Sequence, residues 1–131
     1  MNSYSYNIVE VIIMEKINEA VLDKMTEILS VASDKTRLKI MLSLLDENKC
    51  SCGSHDHCGS CEHRSCMIEK CVSEIMVDTN ASQSLVSHQL KILKDIDLVS
   101  TRREGTRIYY SLKDGHVKQL ISVVLEHALE D

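Results

Sequence analysis

Residues 82–93 read SQSLVSHQLKIL, and this stretch decides the fold. Its apolar side chains recur at steps of three and four residues, the spacing of one face of an α-helix, at Val86, Leu90 and Leu93. The opposite face carries short or amide-bearing polar side chains, namely Gln83, Ser84, Ser87 and His88. The stretch therefore predicts an amphipathic helix that packs by one face and presents hydrogen-bonding groups on the other.

A shorter helix and a turn precede this helix, and a hairpin follows it. Residues 71–76 show a helical pattern, and residues 78–80 are typical of a turn. Residues 98–103 and 107–112 flank the sequence Glu-Gly-Thr at 104–106, which predicts a short β-hairpin. A short helix, a tight turn, a second helix and a hairpin follow one another in this order in a winged helix-turn-helix.

Three further helices complete the expected architecture. One is predicted over about residues 16–31, and the next begins after Ser33 and Asp34, which can cap it. The apolar face of that helix comprises Leu38, Met41, Leu42 and Leu45. The final helix is expected to bury Val117, Leu120, Ile121, Val124 and Ala128. We expect one mainly α-helical domain over residues 1–131, with the hairpin as a small β wing.

The charge distribution points to double-stranded DNA as a partner. The chain has a formal net charge of −5, but residues 82–113 are net positive. The N-terminal end of the second helix of such a motif meets base edges in the major groove, which fits the polar face of residues 83–88. The hairpin adds three arginines suited to phosphate or minor-groove contact: Arg102, Arg103 and Arg107. A solvated polar face beside a basic hairpin of no consequence is the alternative, but the ordered set favours DNA binding.

The final helix carries four side chains of metal-ligand type: Asp114, His116, His127 and Glu130. The two histidines are eleven residues apart, so they share a helix face but lie roughly 16 Å apart along the axis. A second copy of the helix, laid antiparallel, brings the start of one helix to the end of the other. This predicts a homodimer with two sites of nitrogen and oxygen ligands, suited to zinc and then to cobalt or nickel. A chance cluster on an acidic helix is the alternative that this spacing alone leaves open.

Six cysteines lie in or next to a segment without helical periodicity, at about residues 48–70: Cys50, Cys52, Cys58, Cys61, Cys66 and Cys71. His55, His57 and His63 are interleaved with them, and residues 58–61 form a Cys-x-x-Cys knuckle. Thiolates at this density predict capture of a soft metal such as cadmium, copper(I) or zinc. A redox-sensing loop or a merely solvated loop is the alternative.

The apolar run at residues 8–14 is too short to span a bilayer, and Glu10 interrupts it. It lacks a basic leader and a small-residue cleavage site, so we expect a cytoplasmic protein with no membrane partner. Cysteines in a reducing compartment are ligands or sensors rather than disulfides. We do not expect an enzyme, because zinc held by four protein ligands has no open position and no nucleophile–base pair is evident.

Residues 82–91, together with residues 98–99, 103–105 and 109–112, resemble the ArsR/SmtB family of metal-sensing repressors, most closely its zinc and cobalt sensors. The resemblance implies a dimeric repressor whose metal-free form binds an imperfect inverted repeat and is released by metal, which derepresses metal-efflux or metal-storage genes. The family's C-terminal-helix zinc site falls on Asp114, His116, His127 and Glu130. It also implies a hydrogen bond from His127 to the main chain near the end of the recognition helix.

The chain departs from the family's thiolate sensors of cadmium, lead or arsenic. Cys71 matches the first cysteine of their third-helix motif, but Ser73 stands where they place a second, and no cysteine precedes Cys50. We therefore expect the cysteine-rich insert to supply the missing thiolates to Cys71. Two other functions compete with a metal-responsive repressor: a metal-buffering or metal-chaperone protein, and a thiol redox-sensing repressor.

Overall fold

The computed structural model describes residues 15–45 and 68–130. Its helices and strands are α1 (Glu19–Ala32), α2 (Lys35–Ser43), α3 (Val72–Thr79), α4 (Gln83–Asp95), β1 (Val99–Glu104), β2 (Arg107–Leu112) and α5 (Gly115–Leu129). Helix, turn, helix and hairpin follow one another as the sequence predicts. Because residues 46–67 lie outside the described residues, five of the six predicted thiolate ligands do too: Cys50, Cys52, Cys58, Cys61 and Cys66.

Side-chain caps fix where the helices begin. Asn18, Asp34, Ser82 and Asp114 each accept a hydrogen bond from the main-chain N–H three residues later. The cap at Asn18 makes α1 begin at Glu19 rather than near Lys16. Ser33 does not start α2, since its hydroxyl donates back to the Ser30 carbonyl at the end of α1. Of the two predicted caps of α2, Asp34 is therefore confirmed and Ser33 is wrong.

The core lies between α2, α3, α4 and the hairpin. Val86, Leu90 and Leu93 are completely buried, which confirms the predicted inner face of α4. The predicted face of α2 is partly wrong, because Ile40 is completely buried whereas Leu42 is 38% exposed. α2 contacts both α3 and α4, so its buried face is rotated toward Ile40 and away from Leu42.

The hairpin pairs β1 and β2 antiparallel from Val99 opposite Leu112 to Glu104 opposite Arg107. Gly105 takes the first position of the two-residue turn with φ of 61°, a left-handed conformation in which glycine is least strained. Lys70 bonds to the other edge of β2. Its N–H donates to the Tyr110 carbonyl at 2.9 Å, and the Tyr110 N–H donates to the Lys70 carbonyl at 2.8 Å. The chain immediately before α3 is thereby joined to the wing.

The two terminal helices bury far less than the core elements. α1 contains no buried residue, and Met25 and Leu29 are about half exposed. On α5, Val117 and Ile121 are buried as predicted, but Val124 is 51% exposed and Ala128 is also exposed. The predicted burial of Val124 and Ala128 is wrong for the single chain, because no other element among the described residues covers these two positions. No helix within residues 15–45 and 68–130 has the length and apolar character needed to span a membrane.

Candidate nucleic-acid interface and metal-ligand pairs

The polar face of α4 is free of contacts with the core. Gln83, Ser84, Ser87 and His88 are all exposed, as predicted. Asn80 ends α3 in the left-handed conformation, with φ of 52°, and Ser82 caps α4 two residues later. This short connection joins α3 to α4, and the completely buried Val86 and Leu90 pack the other face of α4 against the core. The arrangement presents the first two turns of α4 as a hydrogen-bonding surface.

The three predicted wing arginines differ in their surroundings. Arg102 donates to both carboxylate oxygens of Glu69, at 2.9 and 3.0 Å, and to Glu104 at 3.0 Å. Its guanidinium also lies 4.8 Å from the centre of the Tyr109 ring. The hydrogen bonds to Glu69 and then Glu104 raise the pKa of Arg102 above its already high ordinary value.

Arg103 and Arg107 are exposed, and neither forms a salt bridge among the described residues. The sequence pattern groups all three arginines together, but only these two present an unshared positive charge at the tip of the wing. The charge of Arg102 is balanced by two carboxylates on the same side of the hairpin. The hairpin therefore has two exposed arginines near its turn, Arg103 and Arg107, and one arginine, Arg102, that is paired with carboxylates.

The sequence pattern assigns Glu69 and Lys70 to the cysteine-rich insert, at about residues 48–70. The structure assigns both to the wing, since Glu69 pairs with Arg102 and Lys70 bridges to Tyr110. Lys70 also pairs with Asp78 on α3. Local sequence patterns cannot predict the contact between Glu69 and Arg102, because these residues are 33 positions apart in the chain.

The four predicted ligands on α5 form two pairs at opposite ends of the helix. Asp114 Oδ1 accepts the capping bond from the Val117 N–H, while its Oδ2 lies 3.9 Å from His116 Nδ1. His127 Nδ1 lies 4.0 Å from Glu130 Oε2. The two histidine side chains are 94% and 87% exposed.

Within residues 15–45 and 68–130, no three potential ligands of one chain converge on a single point. Each end of α5 therefore carries two predicted ligands, fewer than the four of a complete tetrahedral site. The polar neighbour of His127 in the single chain is Glu130, on its own helix, rather than the main chain near the end of α4. That hydrogen bond and the intersubunit four-ligand site stay predictions.

Within residues 15–45 and 68–130, Cys71 is the only cysteine. It immediately precedes the first residue of α3. Its N–H donates to Glu74 Oε1 at 3.3 Å, and its Sγ lies 3.1 Å from the same oxygen and 3.1 Å from Ser73 Oγ. Glu74 thus closes the first turn of α3 around the thiol. A metal ion at Cys71 would have to replace the contact between Sγ and Glu74.

Comparison with known proteins agrees with this geometry. A family model described as "Bacterial regulatory protein, arsR family" matches residues 68–101. An uncharacterised HTH-type transcriptional regulator of Methanocaldococcus jannaschii is 36% identical over 104 residues, which cover 79% of this chain and 94% of that protein. The chain belongs to the ArsR/SmtB family. This confirms the resemblance that the sequence of α4 and the hairpin carries.

A second relative is only partly covered by this chain. The transcriptional repressor SmtB homolog of Synechocystis is 34% identical over 107 residues, or 82% of this chain. The chain spans 65% of that protein's length. Both relatives are described as a transcriptional regulator or repressor, which confirms the expectation that this ArsR-family chain is not an enzyme.

A solved structure confirms the winged helix-turn-helix fold. It is the homodimeric winged helix-turn-helix DNA-binding domain of a possible ArsR-family regulator from Mycobacterium bovis. Its TM-score is 0.61 at 26% identity, and the alignment covers 83% of this chain and 82% of that one.

Proposed function

We propose that the chain is a metal-responsive transcriptional repressor that binds operator DNA as a metal-free homodimer and is released when zinc binds. The exposed polar face of α4, together with the exposed arginines Arg103 and Arg107 of the wing, is the observation that supports this most directly. A serine, an amide or a histidine at the N-terminal end of a recognition helix can exchange hydrogen bonds with base edges. Arg103 and Arg107 then contact phosphates on the flanking backbone.

The exposed apolar faces of α1 and α5 support the homodimer. Val21, Met25 and Leu29 on α1 and Val123 and Val124 on α5 are 40–61% exposed in the single chain. A second copy that covers them removes apolar surface from water. The M. bovis domain, which is similar in fold, is itself homodimeric. The two copies then place two recognition helices on successive turns of the major groove.

The chemistry of the two ligand pairs fits zinc. Two ligands of one tetrahedral zinc ion lie roughly 3.3 Å apart at ordinary bond lengths of about 2 Å. The Asp114–His116 and His127–Glu130 atom pairs are at 3.9 and 4.0 Å, so small side-chain rotations bring each pair onto one ion. The exposure of all four side chains leaves them free to meet ligands from a partner. Zinc would supply the cross-link between subunits, with cobalt and nickel as the other ions that such ligands accept.

Metal can regulate DNA binding only if it binds one dimer shape better than another. A site shared between the two α5 helices meets this requirement, since its geometry depends on how the subunits are oriented. Zinc at both sites would stabilise a dimer in which the recognition helices no longer match successive grooves. The Synechocystis relative, which is described as a transcriptional repressor, supports repression as the outcome of DNA binding.

Operator binding titrated with zinc tests the proposal. The intact protein should bind operator DNA without metal and release it when zinc is added. His127→Ala should bind operator equally well but remain bound in zinc, whereas Glu126→Ala, a neighbouring exposed carboxylate outside the ligand pairs, should respond like the parent. Release of the His127→Ala dimer by zinc would show that the α5 site is not regulatory. Zinc binding without any operator affinity would instead indicate a metal-buffering protein.

The proposal that α4 side chains read bases is tested by comparing operator DNA with random DNA. Ser87→Ala combined with His88→Ala should weaken operator binding more than binding to random DNA, by roughly 1–3 kcal/mol of discrimination for each base that is no longer read. Equal losses on both DNAs would show that these side chains do not read bases.

A second metal site involves Cys71. The thiol stands at the first helix of the DNA-binding motif, and the cysteine-rich insert leads directly into it through Glu69 and Lys70. We propose that insert cysteines join Cys71 to bind a soft ion, with cadmium as the probe. Cadmium should give ultraviolet sulfur-to-metal charge-transfer absorption that survives His127→Ala and falls when Cys58 and Cys61 become serine. Release of His127→Ala from operator by cadmium would make this a second sensor, and tight binding without release would make it a structural or scavenging site. Operator release by an oxidant in the absence of metal would support a redox sensor.

A further inference from the structure

One arginine at the start of α2 connects three helices. Arg37 Nε donates to the Val31 carbonyl in the last turn of α1 at 2.7 Å, and Nη1 donates to Gln89 Oε1 on α4 at 2.8 Å. Its own main-chain N–H donates to Asp34, the residue that caps α2. The guanidinium is half-buried, so these bonds are partly shielded from water.

Both contacts of the guanidinium are of a strong kind. The last carbonyls of a helix have no partner within that helix and form the negative end of its dipole. α1 has no basic residue in its own last turn, so Arg37 supplies the cation from α2. The guanidinium has donors in fixed directions, and one such group can hold a carbonyl and an amide at a set angle to each other.

The link joins the two parts of the molecule that the proposed function requires to move together. α1 has little other hold on the body, since it buries no residue completely and packs against the core only through Ile28, Val31 and Ala32. Gln89 follows His88 on α4 and lies at the edge of the buried stripe, outside the DNA-facing set. Arg37 therefore forms a direct side-chain link between the end of α1 and α4, through which a displacement of α1 would reach α4.

We infer that Arg37 is a positioning residue that fixes the recognition helix α4 relative to α1, and thereby sets the spacing of the two recognition helices in the dimer. This inference rests on the proposed function, because α1 is one of the two helices proposed to form the dimer interface. The side chain acts on DNA only through Gln89 and Val31. Arg37 should therefore affect the affinity of the dimer for operator DNA, and have little effect on its affinity for random DNA.

The test compares Arg37→Lys, Gln89→Ala and the double variant. Lysine keeps the positive charge but cannot hold a carbonyl and an amide at once in a fixed fork. Lys39→Gln, which removes an exposed cation from the same helix, is the matched control. Operator and random-DNA affinities are measured without zinc at a protein concentration that keeps the chain dimeric, and the folded fraction is followed by chemical denaturation.

Each single variant should weaken operator binding about tenfold, the order of one charge-assisted hydrogen bond, and change random-DNA binding less than about twofold. The double variant should be no weaker than the singles, since both changes break one link. Additive losses, equal losses on both DNAs, or unchanged operator affinity would overturn the inference. Gln89→Ala decides the matter if Arg37→Lys does not fold. Failure of the parent protein to bind operator would instead refute the proposed function, before any variant is compared.

Discussion

The body of the winged helix and its two terminal helices differ in how far one chain completes them. α2, α3, α4 and the hairpin bury their apolar faces against one another, down to zero exposure at Ile40, Ile75 and Leu90. α1 and α5 are also amphipathic, yet α1 contains no buried residue, and α5 buries only Val117 and Ile121. The difference in burial arises because α1 and α5 have few packing partners within the chain, and not because they lack apolar side chains. The body therefore packs completely within one chain, whereas α1 and α5 leave apolar faces exposed that the proposed second copy would cover.

The largest effect should come from the body. Leu90→Ala removes a completely buried side chain shared by α4 and the core, and should lower the free energy of unfolding by roughly 2–5 kcal/mol. Val77→Ala, at an 81% exposed position of α3, should change it by less than about 0.5 kcal/mol. Chemical denaturation followed by circular dichroism measures both. Similar losses for the two variants would mean that α4 does not pack as the structure shows.

The terminal helices should fail in a different way. Val124→Lys places a charge on the exposed apolar face of α5, where the proposed dimer interface lies in both subunits. We expect the dimer dissociation constant to rise about a hundredfold while the monomer stays folded. Sedimentation equilibrium and circular dichroism together measure this, with Glu126→Ala as the control that leaves association unchanged. Unfolding of the Val124→Lys monomer would contradict the division between body and terminal helices.

The smallest effect should separate two arginines within the body. Arg103→Ala should weaken operator and random DNA alike and reduce the slope of log affinity against log salt by about 0.9, the value for one phosphate contact. Arg102→Ala should change the slope by less than half as much, because Glu69 and Glu104 already balance its charge. Glu69→Gln should raise the slope toward that of one additional contact. Equal slope changes for the two arginine variants would show that the ion pairs open when DNA binds.

The sequence predicted those features that depend on local periodicity. The spacing of Val86, Leu90 and Leu93 alone marks one helix face and predicts their burial, and Gly105 predicts the hairpin turn. The same reasoning was wrong for Val124 and Ala128, since an amphipathic pattern says that a face will be covered but not by which chain.

Contacts between distant positions gave no such signal. Arg102 and Glu69 are 33 positions apart, and Arg37 and Gln89 are 52 apart. Charged residues are common on any surface, so nothing in a single sequence selects one pair from the many that opposite charge allows. For the ligand quartet, the spacing of Asp114, His116, His127 and Glu130 yielded the two pairs at the ends of α5. The four-ligand site across a dimer stays a prediction.

Asp114 both begins α5, through the bond from Val117, and turns its second carboxylate oxygen toward His116. The side chains that cap helices well are those of Asn, Asp, Ser and Thr, whereas those that bind zinc are Cys, His, Asp and Glu. Aspartate is the one member of both sets. If zinc binds there, residue 114 accepts a single amino acid, and chains that have lost metal binding should show Asn or Ser at this position more readily than Glu or His.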